Sequence, residues 1–89
     1  VTVYKFTAIH GGVISHNMRG PGHVLSMGIQ GDQVVVWALC HPDRAIVTRV
    51  FACVFTGQPL PEGSRGWRFV GTATTREGLV LHLFVQEHE

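Results

Sequence analysis

The sequence predicts a single small all-β domain, an antiparallel β-sandwich or a partly open barrel of about six strands. Gly, Pro and Asp recur at short intervals, and the runs between them are rich in Val, Phe, Thr and Trp. No stretch carries the sustained periodicity and caps of a long helix. The chain has 89 residues, of which 45% are hydrophobic, so it is too apolar for a disordered chain and fits one domain, 1–89.

The strands follow from the positions of these breaks. The segments 9–22 and 57–66 hold several Gly and Pro residues and are predicted to be loops, with at most one short helical turn in the first. Loops on a rigid β scaffold often carry binding sites, so both segments are candidates. Six strands are predicted, near residues 2–8, 23–30, 33–41, 45–56, 67–74 and 79–86.

The first predicted hairpin turns at Gly31-Asp32, where Gly at the first turn position suits a type II′ turn. This register places Trp37 opposite Ser26 and beside Gly28, on the less apolar face. Two interpretations stay open: another sheet or subunit covers the indole ring, or the ring stacks on a planar ligand. The predicted core face holds Leu25, Met27, Ile29, Val34, Val36, Ala38 and Cys40.

The strand 45–56 contains Arg49 in its middle. Continuing the alternation from a tight turn at Pro42-Asp43 places Arg49 on the core face, where an unpaired guanidinium is very unfavourable. Either a bulge shifts the register, or Arg49 is paired or faces a pocket. The sequence does not decide between these alternatives.

The second hairpin is predicted to turn at residues 76–78. If Thr75 pairs with Leu79, Thr72 lies directly opposite His82. Simple alternation then places Arg68 on the same outer face, either as part of an ordinary solvated surface or as a contact set for phosphate and ribose hydroxyls. The predicted core face holds Trp67, Phe69, Gly71, Ala73, Leu79, Leu81, Leu83 and Val85.

Composition narrows the classes of partner. The net charge of +1 argues against long nucleic acids, whereas the mildly basic N-terminal third suits a small anion. Cys40 and Cys53 lie in apolar runs, which predicts reduced core thiols in a cytosolic protein. No apolar run reaches the roughly 20 residues of a membrane span, and no signal peptide is visible. Only 15% of residues are charged, which favours a homo-oligomer that covers apolar surface.

Catalytic and metal-binding patterns are weak in this sequence. None of the six histidines shows a typical zinc-ligand spacing, and no phosphate-binding glycine motif occurs. The six carboxylates fall in predicted turns, loops or the C-terminal tail. We therefore predict no metal, no cofactor and no catalytic set, although a Cys-His or Ser-His arrangement stays open because its members need not be neighbours in sequence.

A series of short motifs resembles a known family. Tyr4-Lys5-Phe6 opens the chain, and later motifs are Val35-Val36-Trp37-Ala38-Leu39, Phe55-Thr56-Gly57-Gln58-Pro59-Leu60-Pro61 and Gly78-Leu79-Val80-Leu81-His82-Leu83-Phe84. This order is similar to that of uncharacterised small proteins of bacteriophage and prophage genomes, with "YKY", "LWALVDP", "GTGHPIP" and "GALVWHLF" motifs. Gln58 stands where that family often has His, Leu81 stands where it often has Trp, and residues 9–22 match least.

The resemblance implies a phage setting, and analogy with small phage proteins suggests a function. We expect a non-enzymatic homo-oligomer in the host cell cytoplasm that sequesters a small anionic nucleotide-derived immune signal, of the cyclic nucleotide or ADP-ribose type. The alternatives are a protein–protein interaction module, which blocks a host protein or serves in the virion, and a small nuclease or phosphodiesterase-like enzyme. The predicted ligand contacts are Arg19, Ser26, Trp37, Arg68, Thr72 and His82, with His16 and Asn17 beside Arg19 in the first loop.

Overall fold

The computed structural model describes residues 1–8, 11–62 and 66–86, and in them seven strands form two antiparallel sheets. The first sheet has the order β1-β4-β3, and the second has the order β2-β5-β7-β6. The all-β class and the sandwich are confirmed, and the sheets do not close into a barrel. The strands are β1 Thr2–Ala8, β2 Gly12–Arg19, β3 Pro21–Gln30, β4 Gln33–Cys40, β5 Ile46–Phe55, β6 Trp67–Thr74 and β7 Val80–Gln86.

Strand β2 was not predicted. Most of the segment 9–22, expected to be a loop, belongs to β2 and to the start of β3. Burial alternates regularly along β2, where Ile14, His16 and Met18 are more buried than their neighbours. The sequence did not show this alternation, because glycines flank the strand and several of its side chains are polar. His16 and Asn17 therefore lie on a strand rather than in a loop, which corrects the prediction.

The core lies between the inward faces of the central strands. Burial in this core raises the pKa of the Cys40 and Cys53 thiols, and both cysteines are free, as the sequence predicted. The described residues contain no helix that could cross a membrane. The most deeply buried core side chains are Val34, Val36 and Ala38 of β4, Phe51 and Cys53 of β5, and Leu81 and Leu83 of β7.

A β-bulge changes the first hairpin. The predicted pairing of Ser26 with Trp37 is confirmed, and Gly31 has a positive φ, as a type II′ turn requires. The register shifts between Val24 and Ser26. Because of this shift Val24 is buried and Leu25 is 44% exposed, so the predicted core position of Leu25 was wrong.

A second bulge lies on β6, between Phe69 and Gly71. It turns Phe69 outward, where it pairs with Phe84, and it places Arg68 beside Val85 on the core side. The predictions that Phe69 is a core residue and that Arg68 lies on the outer face were therefore wrong.

The rest of the second hairpin follows the predicted register. The Thr75 N–H donates to the Leu79 carbonyl (2.8 Å), and Thr72 pairs with His82.

Two further predicted core residues of this hairpin lie outside the core. Leu79 lies beyond the turn and is 47% exposed. Trp67 shares the outer face with its cross-strand partner Gln86, and its indole N–H donates to the Pro61 carbonyl.

The two long sides of the sandwich differ. On one side β3 packs on β6, where a Cβ atom at Gly71 would lie 2.8 Å from Met27 Cγ. On the other side β1 and β2 are the edge strands of different sheets. There the His16 ring lies 5.3 Å from Phe6 and 6.1 Å from Phe51 between ring centroids, and His16 Nε2 contacts the Thr7 carbonyl. His16 thus bridges the two sheets at this side.

Candidate functional site

The structure places the six predicted ligand residues in four separate locations. The pair Ser26 and Trp37 lies on the outer face of the first sheet, and the pair Thr72 and His82 lies on the outer face of the second sheet. Arg19 lies at the end of β2, and Arg68 lines a small pocket between the sheets. Both predicted cross-strand pairs exist, but no single pocket of the described chain gathers all six residues.

The indole ring of Trp37 lies next to Gly28 of the neighbouring strand. A Cβ atom at Gly28 would approach two ring carbons of Trp37 to 3.2 Å, so the space expected beside Gly28 is filled by the ring itself. Lys5 Nζ donates to Gln30 Oε1 (2.8 Å) across β4, which lies between β1 and β3. Because this hydrogen bond crosses the strand that carries Trp37, a ligand on this face would contact the Lys5 side chain as well as the indole ring.

His82 is held by two threonine hydroxyls. Thr56 Oγ1 lies 2.7 Å from its Nε2, and Thr72 Oγ1 lies 2.9 Å from its Nδ1. In a neutral imidazole one nitrogen donates and the other accepts, so the two hydroxyls satisfy both nitrogens. His82 can therefore contact a ligand only after one of these hydrogen bonds opens.

One cavity lies at the side where the edge strands β1 and β2 face each other. We call it the β1–β2 cleft, and its volume is about 380 Å³. Tyr4 and Phe6 lie two residues apart on β1 and therefore share the inward face. The cleft is lined by Tyr4, Phe6, Asn17, Met18, Arg19, Cys40, Pro42 and Ile46.

The polar lining residues of the cleft are fixed by hydrogen bonds. Arg19 Nη1 donates to the Arg44 carbonyl (3.1 Å), and Thr48 Oγ1 donates to Asn17 Oδ1 (2.7 Å). Arg19 has five N–H donors and this bond uses one, so the guanidinium keeps donors for an anion. The cleft thus combines an apolar, partly aromatic lining with one cation at its rim.

Arg49 lies on the core face of β5, paired with His16 of β2. Its Nε donates to the Gly22 carbonyl (2.9 Å), and its Nη2 donates to the Pro21 carbonyl (2.8 Å). Its Nη1 is buried and has no hydrogen-bond partner in the part of the chain that the structure describes. Of the alternatives that the sequence left open, Arg49 is therefore both paired and directed towards a pocket.

That pocket has a volume of about 120 Å³ and shares no lining residue with the β1–β2 cleft. We call it the Arg49 pocket. Two arginines line it, because the bulge in β6 places Arg68 on the core side. Among the described residues none of the lining side chains is acidic: they are Gly22, His23, Val24, Arg49, Arg68, Val85 and Gln86.

The outer face of the second sheet carries a band of apolar residues. Val13, Ala52, Phe84 and Phe69 pair directly across all four strands, and we call them the apolar row. Val13 is 48% and Phe69 is 54% exposed, and the two phenyl rings pack edge to face at 5.5 Å. Sequence reasoning missed this row because it placed Phe69 in the core.

Metal ligands do not converge in the described part of the chain. Among those residues no group of three or more His, Cys, Asp or Glu side chains could hold a metal ion. His10, Glu87, His88 and Glu89 lie outside the described residues.

The fold and these cavities, as far as the structure describes the chain, define a class of protein, an open-sided antiparallel β-sandwich with an apolar cleft and a separate cationic pocket. The chain belongs to the family Domain of unknown function (DUF7352), whose model matches residues 1–89. No curated protein and no solved structure matches the chain significantly. The uncharacterised family that the sequence motifs implied is thereby confirmed at the level of a domain of unknown function.

Proposed function

We propose that this chain is a non-enzymatic binding protein that takes a compact planar anion of the nucleotide type in the β1–β2 cleft. The observation that carries the proposal is the cleft itself. Its volume of about 380 Å³ falls within the range of ligand pockets, and its lining is mostly apolar with few polar groups. Tyr4 and Phe6 offer aromatic faces for a base, and Arg19 offers charge-assisted hydrogen bonds for a phosphate.

The expected energetics require a cleft that is already formed. Stacking of a base on an aromatic ring contributes roughly 1–3 kcal/mol, and a hydrogen bond to a charged group contributes roughly 1.5–3 kcal/mol. Association costs several kcal/mol in lost freedom, so these contacts yield useful affinity only if little further ordering is needed. The hydrogen bond of Arg19 to Arg44 and the contact of Phe6 with His16 support such preorganisation.

The biological setting is part of the proposal. The motif resemblance supports a bacteriophage or prophage origin and a role in the host cytoplasm, as a sponge for a nucleotide-derived immune signal. The net charge of +1 supports selectivity for a small ligand over long DNA or RNA. Ser26, Trp37, Thr72 and His82 do not line the cleft. Their predicted ligand roles would require a site that a second subunit completes.

Calorimetry with a panel of cyclic dinucleotides, cyclic ADP-ribose isomers and mononucleotides tests this proposal. We expect Arg19→Gln and Tyr4→Ala to weaken binding of the best ligand about tenfold or more, because each removes a contact worth at least about 1.4 kcal/mol. Arg76→Gln, at the exposed turn before β7, is the matched control and should bind like the unmodified chain. Mass spectrometry of the released ligand should find it chemically intact.

Two outcomes would contradict the proposal. One is the absence of detectable heat with every member of the panel. The other is equal affinity in the unmodified chain, Arg19→Gln and Tyr4→Ala, which would place any binding outside the cleft. Conversion of the ligand during incubation would favour the enzyme alternative instead.

The apolar row favours one second candidate function, protein binding through the outer face of the second sheet. Exposed aromatic side chains without charged neighbours are typical of the central part of protein interfaces. Four residues adjacent to the row on this face, Ser15, Val50, Val54 and Thr72, carry no charge. The row and these four neighbours therefore hold no charge that would repel a second copy, which makes self-association the first interaction to test.

A further inference from the structure

The Arg49 pocket has features that a solvated surface does not require. Arg49 is fixed by two backbone carbonyls, at 2.9 Å from Nε and 2.8 Å from Nη2. These bonds leave Nη1 as a buried donor with no partner in the described chain. Buried polar groups in native proteins are almost always hydrogen-bonded, so this buried N–H of a guanidinium indicates an acceptor from outside the residues that the structure describes.

Charge in the pocket points to the kind of acceptor. Arg68 lines the same small cavity as Arg49, and His23 lines it as well. A water molecule would satisfy Nη1 but would leave the repulsion between the two lining arginines uncompensated, since no carboxylate is among the described lining residues. An anion satisfies the donor and offsets this repulsion, and arginine is the residue best suited to paired hydrogen bonds with oxyanions.

Size limits the anion. The pocket volume is about 120 Å³. This is well below the volume of the β1–β2 cleft, and it admits a tetrahedral oxyanion but not a nucleoside. Gly22 contributes to this shape because it is buried in the pocket wall. Its carbonyl accepts a hydrogen bond from Arg49 and so orients the guanidinium.

We propose that the Arg49 pocket binds a single phosphate-sized oxyanion, held by Nη1 of Arg49 and by the guanidinium of Arg68. The site is separate from the β1–β2 cleft and does not depend on the function proposed for it. Its ligand is a free phosphate or sulfate ion, or the terminal phosphate of a monoester that extends into solvent.

Inorganic phosphate is the probe that tests this site, with the unmodified full chain as reference. We expect phosphate to raise the unfolding temperature above that in chloride at equal ionic strength, and calorimetry to detect saturable binding. Arg68→Gln is expected to weaken phosphate binding about tenfold or more, because it removes a charge-assisted contact. Arg68 is an exposed residue at the rim of the pocket, so this variant should fold.

Two controls separate this site from general salt effects and from the cleft. Arg76→Gln removes one positive charge at a distant turn and should keep the phosphate response. Arg19→Gln removes the cation of the cleft; a phosphate response that is lost in Arg19→Gln but kept in Arg68→Gln would place the anion in the cleft and overturn the proposal. Sulfate and phosphate also stabilise proteins without binding to a site, because they are excluded from protein surfaces. A thermal shift that is equal in the unmodified chain and in Arg68→Gln, or the absence of saturable binding to the unmodified chain, would overturn the proposal.

Glycerol phosphate distinguishes the two sources of the ligand. Affinity equal to that of inorganic phosphate would show that the pocket accepts the terminal group of a larger molecule. Affinity reduced about tenfold or more would assign the site to the free ion. In either case, we expect Arg68→Gln to lose the binding that is measured for the unmodified chain.

Discussion

At the scale of single residues, Gly22 links backbone conformation to the Arg49 pocket. Its φ is +64°, a conformation that residues with a Cβ atom rarely adopt. Its carbonyl accepts a hydrogen bond from Arg49 Nε, and a Cβ atom at this position would lie 2.9 Å from Val47 Cγ2. Position 22 therefore requires glycine for two reasons, the dihedral angle and the lack of space.

This double requirement predicts the cost of adding one methyl group. We expect Gly22→Ala to lower the free energy of unfolding by about 2–5 kcal/mol, because backbone strain costs roughly 1–2 kcal/mol and overpacking costs roughly 1–3 kcal/mol. Gly31→Ala is the matched control. Gly31 has a φ of +59°, but a Cβ atom at this position would meet no atom within 4 Å, so only the strain of roughly 1–2 kcal/mol applies. Urea unfolding measures both, and equal losses would refute the steric part of the argument.

At the scale of the elements, the two bulges decide which side chains each strand buries. Each bulge inserts one residue into its strand, so that every residue on one side of it moves to the opposite face. In β3 this shift buries Val24 instead of Leu25. In β6 it exposes Phe69 and brings Arg68 to the Arg49 pocket. The apolar row and the Arg49 pocket therefore both depend on the bulge in β6.

The bulge in β3 gives a test with two adjacent residues. We expect Val24→Ala to destabilise the fold by about 1–3 kcal/mol, because Val24 is 5% exposed and truncation leaves a cavity in the core. Leu25→Ala should change stability by no more than about 0.5 kcal/mol, because Leu25 is 44% exposed. Chemical denaturation compares the two variants. A larger loss for Leu25→Ala would mean that β3 follows the regular alternation without a bulge.

At the scale of the whole molecule, the open sides of the sandwich carry the cavities and the outer faces carry exposed apolar residues. A chain of 89 residues with only 15% charged residues has a modest core and little charge to cover its surface. The apolar row places two exposed hydrophobic side chains, Val13 and Phe69, on one outer face. Pairing two copies through this face would remove those side chains from water under two-fold symmetry.

We therefore expect the unmodified chain to form a dimer, or a multiple of dimers, at micromolar concentration. Phe69→Lys should shift the mass in light scattering towards the monomer, because it places like charges on both sides of the interface. Val3→Lys is the matched control, since Val3 is 53% exposed on the outer face of the first sheet, and it should leave the mass unchanged. A monomer for the unmodified chain would contradict the homo-oligomer prediction.

The sequence by itself determined the local features of this protein. Turn residues and alternation were sufficient for the all-β class, for six of the seven strands described here, and for the pairings of Ser26 with Trp37 and Thr72 with His82. The reason is that a tight turn fixes the register of its two strands, and the two-residue period fixes the faces as long as no residue is inserted.

Only the tertiary structure determined where the cavities lie and on which face of the sheet each residue near a bulge is found. Arg49 illustrates the difference. Its position in the sequence showed that a guanidinium on the core face needs partners. The partners themselves, the carbonyls of Pro21 and Gly22, belong to the other sheet and could not be identified from the sequence. Strand β2 and the β1–β2 cleft likewise depend on contacts between residues distant in sequence, such as His16 with Phe6. A bulge is selected by the packing of one sheet on the other, and local periodicity carries no information about that packing.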